Sequence, residues 1–277
     1  TQGLNQSCAI VLIDFAGSAD GRTLIDNLIL SNQPKPVAMP LRFKEGKLKI
    51  AQLTDVHWTP GSEKSEKGNP ETILKVLDME KPDVVILTGD VVTSKPAKEG
   101  WKRIVEMMET AGVPFAVTMG NHDAENWSED SIYNYLSKSR LFIGKKGPEA
   151  LSGTGNYILP VYASDGTDKI NALLYCMDSN DYTADAEKYG NYAWIDWGQI
   201  AWYREQSRQY TTKNNGNPLP ALAFFHIGVP EFKHLQNRPD MYGHLGEGGG
   251  FPKINSGMFQ SMIEMGDVMG VFVGHDH

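Results

Sequence analysis

Short apolar runs alternate along most of the chain with segments whose apolar residues recur at helical spacing. The runs at 48–53, 83–87 and 113–117 predict strands, and the segments at 70–80 and 97–111 predict the helices between them. The run at 83–87 is almost continuously apolar, which is typical of a strand covered on both faces. This alternation predicts βαβ units in a largely parallel sheet.

The second half of the chain predicts strands with a different connectivity. Apolar runs at 157–162 and 170–177 lie on either side of an Asp-Gly turn and predict an antiparallel hairpin. Two further runs, at 219–225 and 268–273, predict buried strands. The helices predicted in this half cover 128–138, 196–210 and 256–265. Together these elements predict an α/β fold.

Residues 1–40 differ in pattern from the rest. Two apolar runs around a turn predict a β-hairpin, and the proline-rich tract at 33–40 predicts an extended linker. We therefore predict an N-terminal extension at 1–40 and one main domain at 41–277. The extension is either an edge hairpin of that domain or the remnant of a preceding β-domain. The glycine-rich stretch at 243–250 predicts a mobile loop.

Composition and charge exclude some classes of protein. The chain has 277 residues, 40% of them hydrophobic, which is enough for a large core. A net charge of −8 argues against a binder of long nucleic acid. No apolar run approaches the roughly 20 residues that span a bilayer, so we expect no membrane span.

The two cysteines lie in no CxxC pattern, which argues against a thiolate zinc site or a disulfide scaffold and favours buried free thiols. The chain begins at Thr1 rather than Met, which is compatible with a removed leader. We therefore favour a secreted or periplasmic location over a cytoplasmic one. The oligomeric state is left open.

Polar side chains follow five of the predicted strands, at the point where each strand ends. These residues are Asp55 and His57, Asp90, Asn121 to Asp123, His226, and His275 with His277. Any one of them alone is best explained as an ordinary polar turn. Together they predict a metal site, because the carboxyl ends of strands in α/β sheets meet at one edge.

The residue types indicate which metals fit. Carboxylate, imidazole and amide ligands without thiolate suit Mn²⁺, Fe or Zn²⁺. An Asp placed between two His-rich sets can bridge two cations. Two cations about 3.5–4 Å apart clamp the attacking and leaving oxygens of a displacement at phosphorus and generate hydroxide near neutral pH. We therefore expect two divalent or mixed-valence ions.

The motif set resembles that of calcineurin-like metallophosphoesterases. The matching motifs are Asp55-Val-His57, Gly89-Asp90, Gly120-Asn-His-Asp123, His226 and Gly274-His-Asp-His277. They follow the family's order across residues 55–277. The resemblance implies a four-layer α-β-β-α sandwich of two mixed sheets with flanking helices, and it makes 41–277 the catalytic domain.

The resemblance also implies a role for each residue. The first metal would be held by Asp55, His57 and His277, the second by Asn121, His226 and His275, with Asp90 between them. His122 would be the catalytic general acid. Asp123 would either orient His122 or cap the following turn. The residues expected to contact substrate are Asn121, His122 and His244.

Other stretches place the chain within the superfamily. Thr93 lies three residues after Asp90, where protein Ser/Thr phosphatases carry Asp-Arg-Gly and purple acid phosphatases carry an iron-binding Tyr. The segments at 49–55 and 225–231 are similar to the purple-acid-phosphatase-like (Dcr2-like) branch. In that branch further residues follow the last motif, so we expect the domain to be truncated at its C-terminus.

These observations predict a dinuclear metal-dependent phosphoesterase. We expect hydrolysis of small phosphomonoesters by a metal-bridging hydroxide, with His122 as the acid. One alternative is a phosphodiesterase that acts on small nucleotides or other diesters. Another is a non-catalytic module that binds metal or phosphate. The segment at 178–192 is the best candidate for a specificity loop.

Overall fold

The computed structural model describes residues 38–235, 238–240 and 248–276. The hairpin and most of the linker predicted in the N-terminal extension lie outside these residues, so the proposed domain boundary stays a prediction. His244, His277 and most of the glycine-rich loop also lie outside them.

A three-stranded parallel sheet forms the first half of the described domain. Its strands pair in the order β1 (Ile50–Leu53), β2 (Val84–Thr88) and β3 (Phe115–Thr118). Two helices make the crossovers, α1 (Asn69–Glu80) after β1 and α2 (Ala97–Ala111) after β2. Every residue of β2 is buried. The predicted βαβ units are therefore confirmed.

Local signals explain where these two helices begin and end. Pro70 lies in the first turn of α1, where its missing N–H costs nothing. Helix α2 packs on the core through Trp101, Ile104 and Met108, which are at helical spacing and buried. It ends at Gly112, whose φ of 65° lies in the left-handed region that glycine adopts without strain.

A four-stranded sheet forms the second half. It pairs in the order β4 (Tyr157–Tyr162), β5 (Ile170–Cys176), β6 (Ala221–Phe224) and β7 (Val268–Phe272). Strands β4 and β5 are antiparallel, whereas the other two pairs are parallel. This sheet is mixed, as expected. The named strands of the first sheet are all parallel, contrary to the expectation of two mixed sheets, because a helix follows each of its first two strands.

The remaining helices flank the sheets. They are α3 (Glu129–Leu136), α4 (Ala186–Tyr189), α5 (Trp197–Lys213) and α6 (Met258–Met265). Helix α5 begins with a capping box in which Asp196 and Gln199 each bond the other's backbone N–H. No helix in the described part of the chain is long and apolar enough to cross a membrane.

Strand β5 shows how the layers are arranged. Leu174 and Cys176 point into the core that also contains the first sheet. Their neighbours Leu173 and Tyr175 point the other way, into a second core with Tyr203 of α5 and residues of α6. Because successive strand residues face opposite sides, one strand separates two cores. The two sheets and their flanking helices confirm the predicted α/β architecture.

Candidate metal centre

The carboxyl ends of strands from both sheets meet at one place. The first sheet brings Asp55, Asp90 and Asn121 together because its strands are parallel and in register, with Thr88 opposite Thr118. The second sheet is tied to this edge by backbone and side-chain bonds. Gly274 N donates to His226 O at 3.0 Å, and Gln52 Nε2 donates to Val273 O at 2.9 Å.

Two groups of potential ligands share one carboxylate. One group is Asp55, His57 and Asp90, and the other is Asp90, His226 and His275. Within each group the ligand atoms lie within 4.8 Å of one another. Asp90 Oδ2 is 3.8 Å from His57 Nε2 and 3.3 Å from His226 Nε2. Asp90 therefore lies between the two groups and belongs to both.

Two buried polar atoms at the site indicate whether cations fit this arrangement of side chains. Asn121 Oδ1 and His226 Nε2 are buried and have no hydrogen-bond partner. The 3.3 Å approach of His226 Nε2 to Asp90 is therefore a close contact without hydrogen-bond geometry. A buried polar atom without a partner costs about 1–3 kcal/mol. A cation would satisfy both atoms, so the residues fit metal ions with oxygen and nitrogen ligands.

The buried imidazole of His226 is oriented by the first sheet. His226 Nδ1 lies 2.7 Å from the carbonyl oxygen of Thr88, to which it donates. This bond leaves the lone pair of Nε2 facing Asp90 in the neutral ring. Metal-bound histidines are commonly held by such a bond from the other ring nitrogen.

The backbone at the site is strained. The potential ligands with positive φ are Asp55 (51°), His57 (48°), Asp90 (49°) and His275 (76°). Residues other than glycine seldom adopt this conformation, and it is concentrated at functional sites. A Cβ at Gly120 would lie 2.3 Å from Asp90 N and Oδ1, and one at Gly274 would lie 2.0 Å from Thr54 Oγ1. The glycines before the ligands are therefore required by close approach.

His122 lies beside the two groups without belonging to either. Its backbone N–H donates to Asp90 Oδ1 at 2.9 Å, and its ring centroid is 6.1 Å from that of His57. Its Nδ1 is 2.7 Å from Glu125 Oε1. Glu125 was missed by the sequence analysis, although its spacing of three residues in a helical turn was a usable signal.

Asp123 supports the loops rather than the His122 ring. Its fully buried carboxylate accepts from Val91 N and Val92 N at 2.9 Å and from Gly120 N at 3.0 Å. The carboxylate therefore ties the loop after β2 to Gly120, a role that neither expectation named, and the residue in contact with the His122 imidazole is Glu125. Burial and the nearby Asp90 raise the pKa of Asp123 to about 6.

Acidic neighbours raise the pKa of two histidines in the metal-free site. The Asp55 carboxylate raises the pKa of His57 above its ordinary value. Burial lowers the pKa of His226, but Asp90 outweighs this effect and the pKa is raised overall. Protons therefore compete with cations for the same nitrogens, and metal binding should weaken as the pH falls.

The family assignment follows from the sequence of this region. A sequence model of the calcineurin-like phosphoesterase family matches residues 48–277. The chain belongs to this family. It is therefore a hydrolase of the phosphoesterase type. The membership of the calcineurin-like family that the motifs predicted is confirmed.

Similar proteins support the assignment to the purple-acid-phosphatase-like branch. The chain is 31% identical over 268 residues to "Probable inactive purple acid phosphatase 29" of Arabidopsis thaliana, covering 86% of this chain and 69% of the relative. It is 29% identical over 263 residues to "Phosphatase DCR2" of Saccharomyces cerevisiae, covering 84% and 44% respectively.

A solved structure supports the fold. The described fold is similar to a dimetal phosphatase from Danio rerio, with a TM-score of 0.53 and 12% sequence identity. The match covers 83% of this chain and 82% of that one.

Proposed function

We propose that this protein hydrolyses small phosphomonoesters with a dinuclear metal centre. The observation that carries the proposal is the pair of ligand groups that share Asp90, with His122 beside them. Asp55 and His57 would hold one cation, and His226, His275 and Asn121 would hold the other. His277, which lies outside the described residues, stays a predicted ligand of the first.

The chemistry that two bound cations supply is neutralisation of the phosphoryl oxygens and activation of water as the nucleophile. Such a centre offsets the negative charge of this protein, so an acidic chain can still bind a phosphorylated substrate. The residues of the chain then have to bind, orient and protonate the substrate.

His122 is the residue that we assign to the leaving group. An ionised carboxylate can only accept, so the 2.7 Å contact with Glu125 makes His122 Nδ1 a donor. This contact directs Nε2 to the substrate, where it donates to the leaving oxygen as general acid. The backbone bond from His122 N to Asp90 keeps the imidazole next to the proposed metals.

The names of the relatives favour monoesters, since both describe phosphatases. One of those names also carries the word "inactive". In the present chain the described ligands converge and His122 lies beside them, which supports catalysis over a non-catalytic binding module. The alternative is a phosphodiesterase that acts on small nucleotides. Comparing the hydrolysis of a monoester with that of a diester distinguishes the two activities.

The test compares nitrophenyl phosphate with bis(nitrophenyl) phosphate after loading with Mn²⁺, Fe²⁺ or Zn²⁺. We expect turnover of the monoester to exceed that of the diester and to disappear with a chelator. Replacement of His122 by Ala should slow turnover by about 10²-fold or more while the metal content stays unchanged. Faster diester hydrolysis would support the phosphodiesterase. Bound metals without activity on either ester would support the non-catalytic module.

A further inference from the structure

Tyr182 lies on a loop that follows β5 and reaches the metal centre. We call residues 181–193 the tyrosine loop. An antiparallel bridge between Tyr182 and Tyr192 closes it, with Thr183 N donating to Asn191 O at 2.8 Å. The two tyrosine rings stack with centroids 5.9 Å apart and planes at 29°. The ring of Tyr182 is therefore held in place independently of its hydroxyl group.

The hydroxyl group of Tyr182 contacts one of the proposed metal ligands. Asn121 Nδ2 donates to Tyr182 Oη at 2.9 Å. Asn121 itself is 2% exposed, and its Oδ1 is buried without a hydrogen-bond partner. A carboxamide can present either its oxygen or its NH₂ group in the same direction, but only the oxygen can bind a cation. The acceptor that binds the NH₂ group therefore determines whether the oxygen of Asn121 faces the metals.

We propose that Tyr182 is a positioning residue of the metal centre, whose phenol oxygen turns Asn121 Oδ1 towards the metals. The proposal rests on the proposed function, because it assumes that Asn121 binds a cation. Partners that orient a metal ligand in this way commonly change metal affinity about 10- to 100-fold. Here the two residues are separated by 61 positions, so the tyrosine loop must pack before the ligand is oriented.

The same hydroxyl group is also directed towards the proposed acid. Tyr182 Oη is 3.4 Å from His122 Nδ1, and the residue is 46% exposed. Because His122 Nδ1 donates to Glu125, the phenol oxygen is an acceptor towards both Asn121 Nδ2 and His122 Nδ1. The hydroxyl group thus lies between a ligand and the acid, which explains why a partly exposed tyrosine at the site edge would matter for both metal and turnover.

Tyr182→Phe isolates the effect of the hydroxyl group, because the stacked ring is retained. We expect the variant to bind one of its two cations about 10- to 100-fold more weakly in a metal titration, with a parallel fall in kcat. The matched control is Tyr189→Phe on the same loop. The ring of Tyr189 contacts Trp194 at 6.1 Å, and this variant should keep the metal affinity of the parent chain.

A second variant separates amide orientation from general damage to the site. In Asn121→Asp combined with Tyr182→Phe, a carboxylate presents an oxygen on either side, so most of the lost metal affinity should return. If Tyr182→Phe binds both cations as tightly as the parent, or if the double variant binds no better than Tyr182→Phe, the inference is wrong. If the parent chain itself binds no metal, the proposed function fails instead, so the two failures are distinguishable. Thermal unfolding of the metal-free variants checks that each is folded.

Discussion

The two sheets contribute to the metal centre in different ways. The first sheet supplies Asp55, His57, Asp90 and Asn121 from the ends of consecutive parallel strands. The second supplies His226 and His275, which depend on the first sheet for their position. His226 Nδ1 donates to Thr88 O at 2.7 Å, and His275 N donates to Asp55 Oδ2 at 3.1 Å. The first sheet therefore acts as the template, and the site is complete only when the second sheet packs against it.

The largest effect is expected from the one ligand that both groups share. Asp90→Asn keeps an acceptor for His122 N–H but removes the negative charge between the two cations. We expect both metals to be bound weakly and turnover to fall by about 10⁴-fold, because several kcal/mol of charge stabilisation are lost. Elemental analysis and steady-state kinetics measure these effects. Retention of both metals at parental affinity would contradict the sharing of Asp90.

Replacing one histidine from each sheet should distinguish their contributions. His57→Ala and His226→Ala should each leave about one metal and lower turnover by about 10²- to 10³-fold. Only His226→Ala should also destabilise the metal-free protein, by about 2 kcal/mol, because a buried imidazole and its bond to Thr88 O are lost. Denaturant unfolding in chelator tests this difference. Equal destabilisation by both variants would argue against the template role of the first sheet.

Asp123 offers a test of the template itself. Asp123→Ala leaves the backbone N–H groups of Val91, Val92 and Gly120 buried without their acceptor. We expect a loss of about 2–4 kcal/mol in the free energy of unfolding. The control is Asp168→Ala, whose side chain is 98% exposed and which should change stability by less than about 0.5 kcal/mol. Similar values for the two variants would show that Asp123 does not fix these loops.

The smallest expected effect is a pH dependence in the tyrosine loop. Burial, followed by the charge of Glu129, raises the pKa of Asp181 from its ordinary value to about 7. The folded state therefore holds this proton more tightly than the unfolded state. The stabilisation is complete below about pH 4 and is lost as the pH rises through about 7.

Asp181→Asn should remove this contribution. The stability difference between parent and variant, measured in chelator from pH 4 to 8, should shift in favour of the variant as the pH rises. A difference that is independent of pH would show that Asp181 titrates normally.

Much of the site was predictable because its signals are local. Each ligand follows an apolar run, and parallel strands bring their carboxyl ends to one edge. The glycines before Asp90, Asn121 and His275 also mark sharp turns. By contrast, the choice of Glu125 over Asp123 as the partner of His122 depends on side-chain direction after the turn. The pattern of residue types left both roles of Asp123 open, and the structure shows a third, in which its buried carboxylate holds the backbone N–H groups of Val91, Val92 and Gly120.

By itself, the sequence determined the order of the elements, the candidate ligands and the position of Asp90 in the motif series. These depend on residue type and on spacing within short segments. Only the tertiary structure decided that Asp123 holds backbone N–H groups and that Tyr182 receives the amide of Asn121 across 61 positions. Such contacts depend on how a loop of the second sheet packs against the first. No periodicity in the chain encodes that distance, because it is set by the packing of the two sheets.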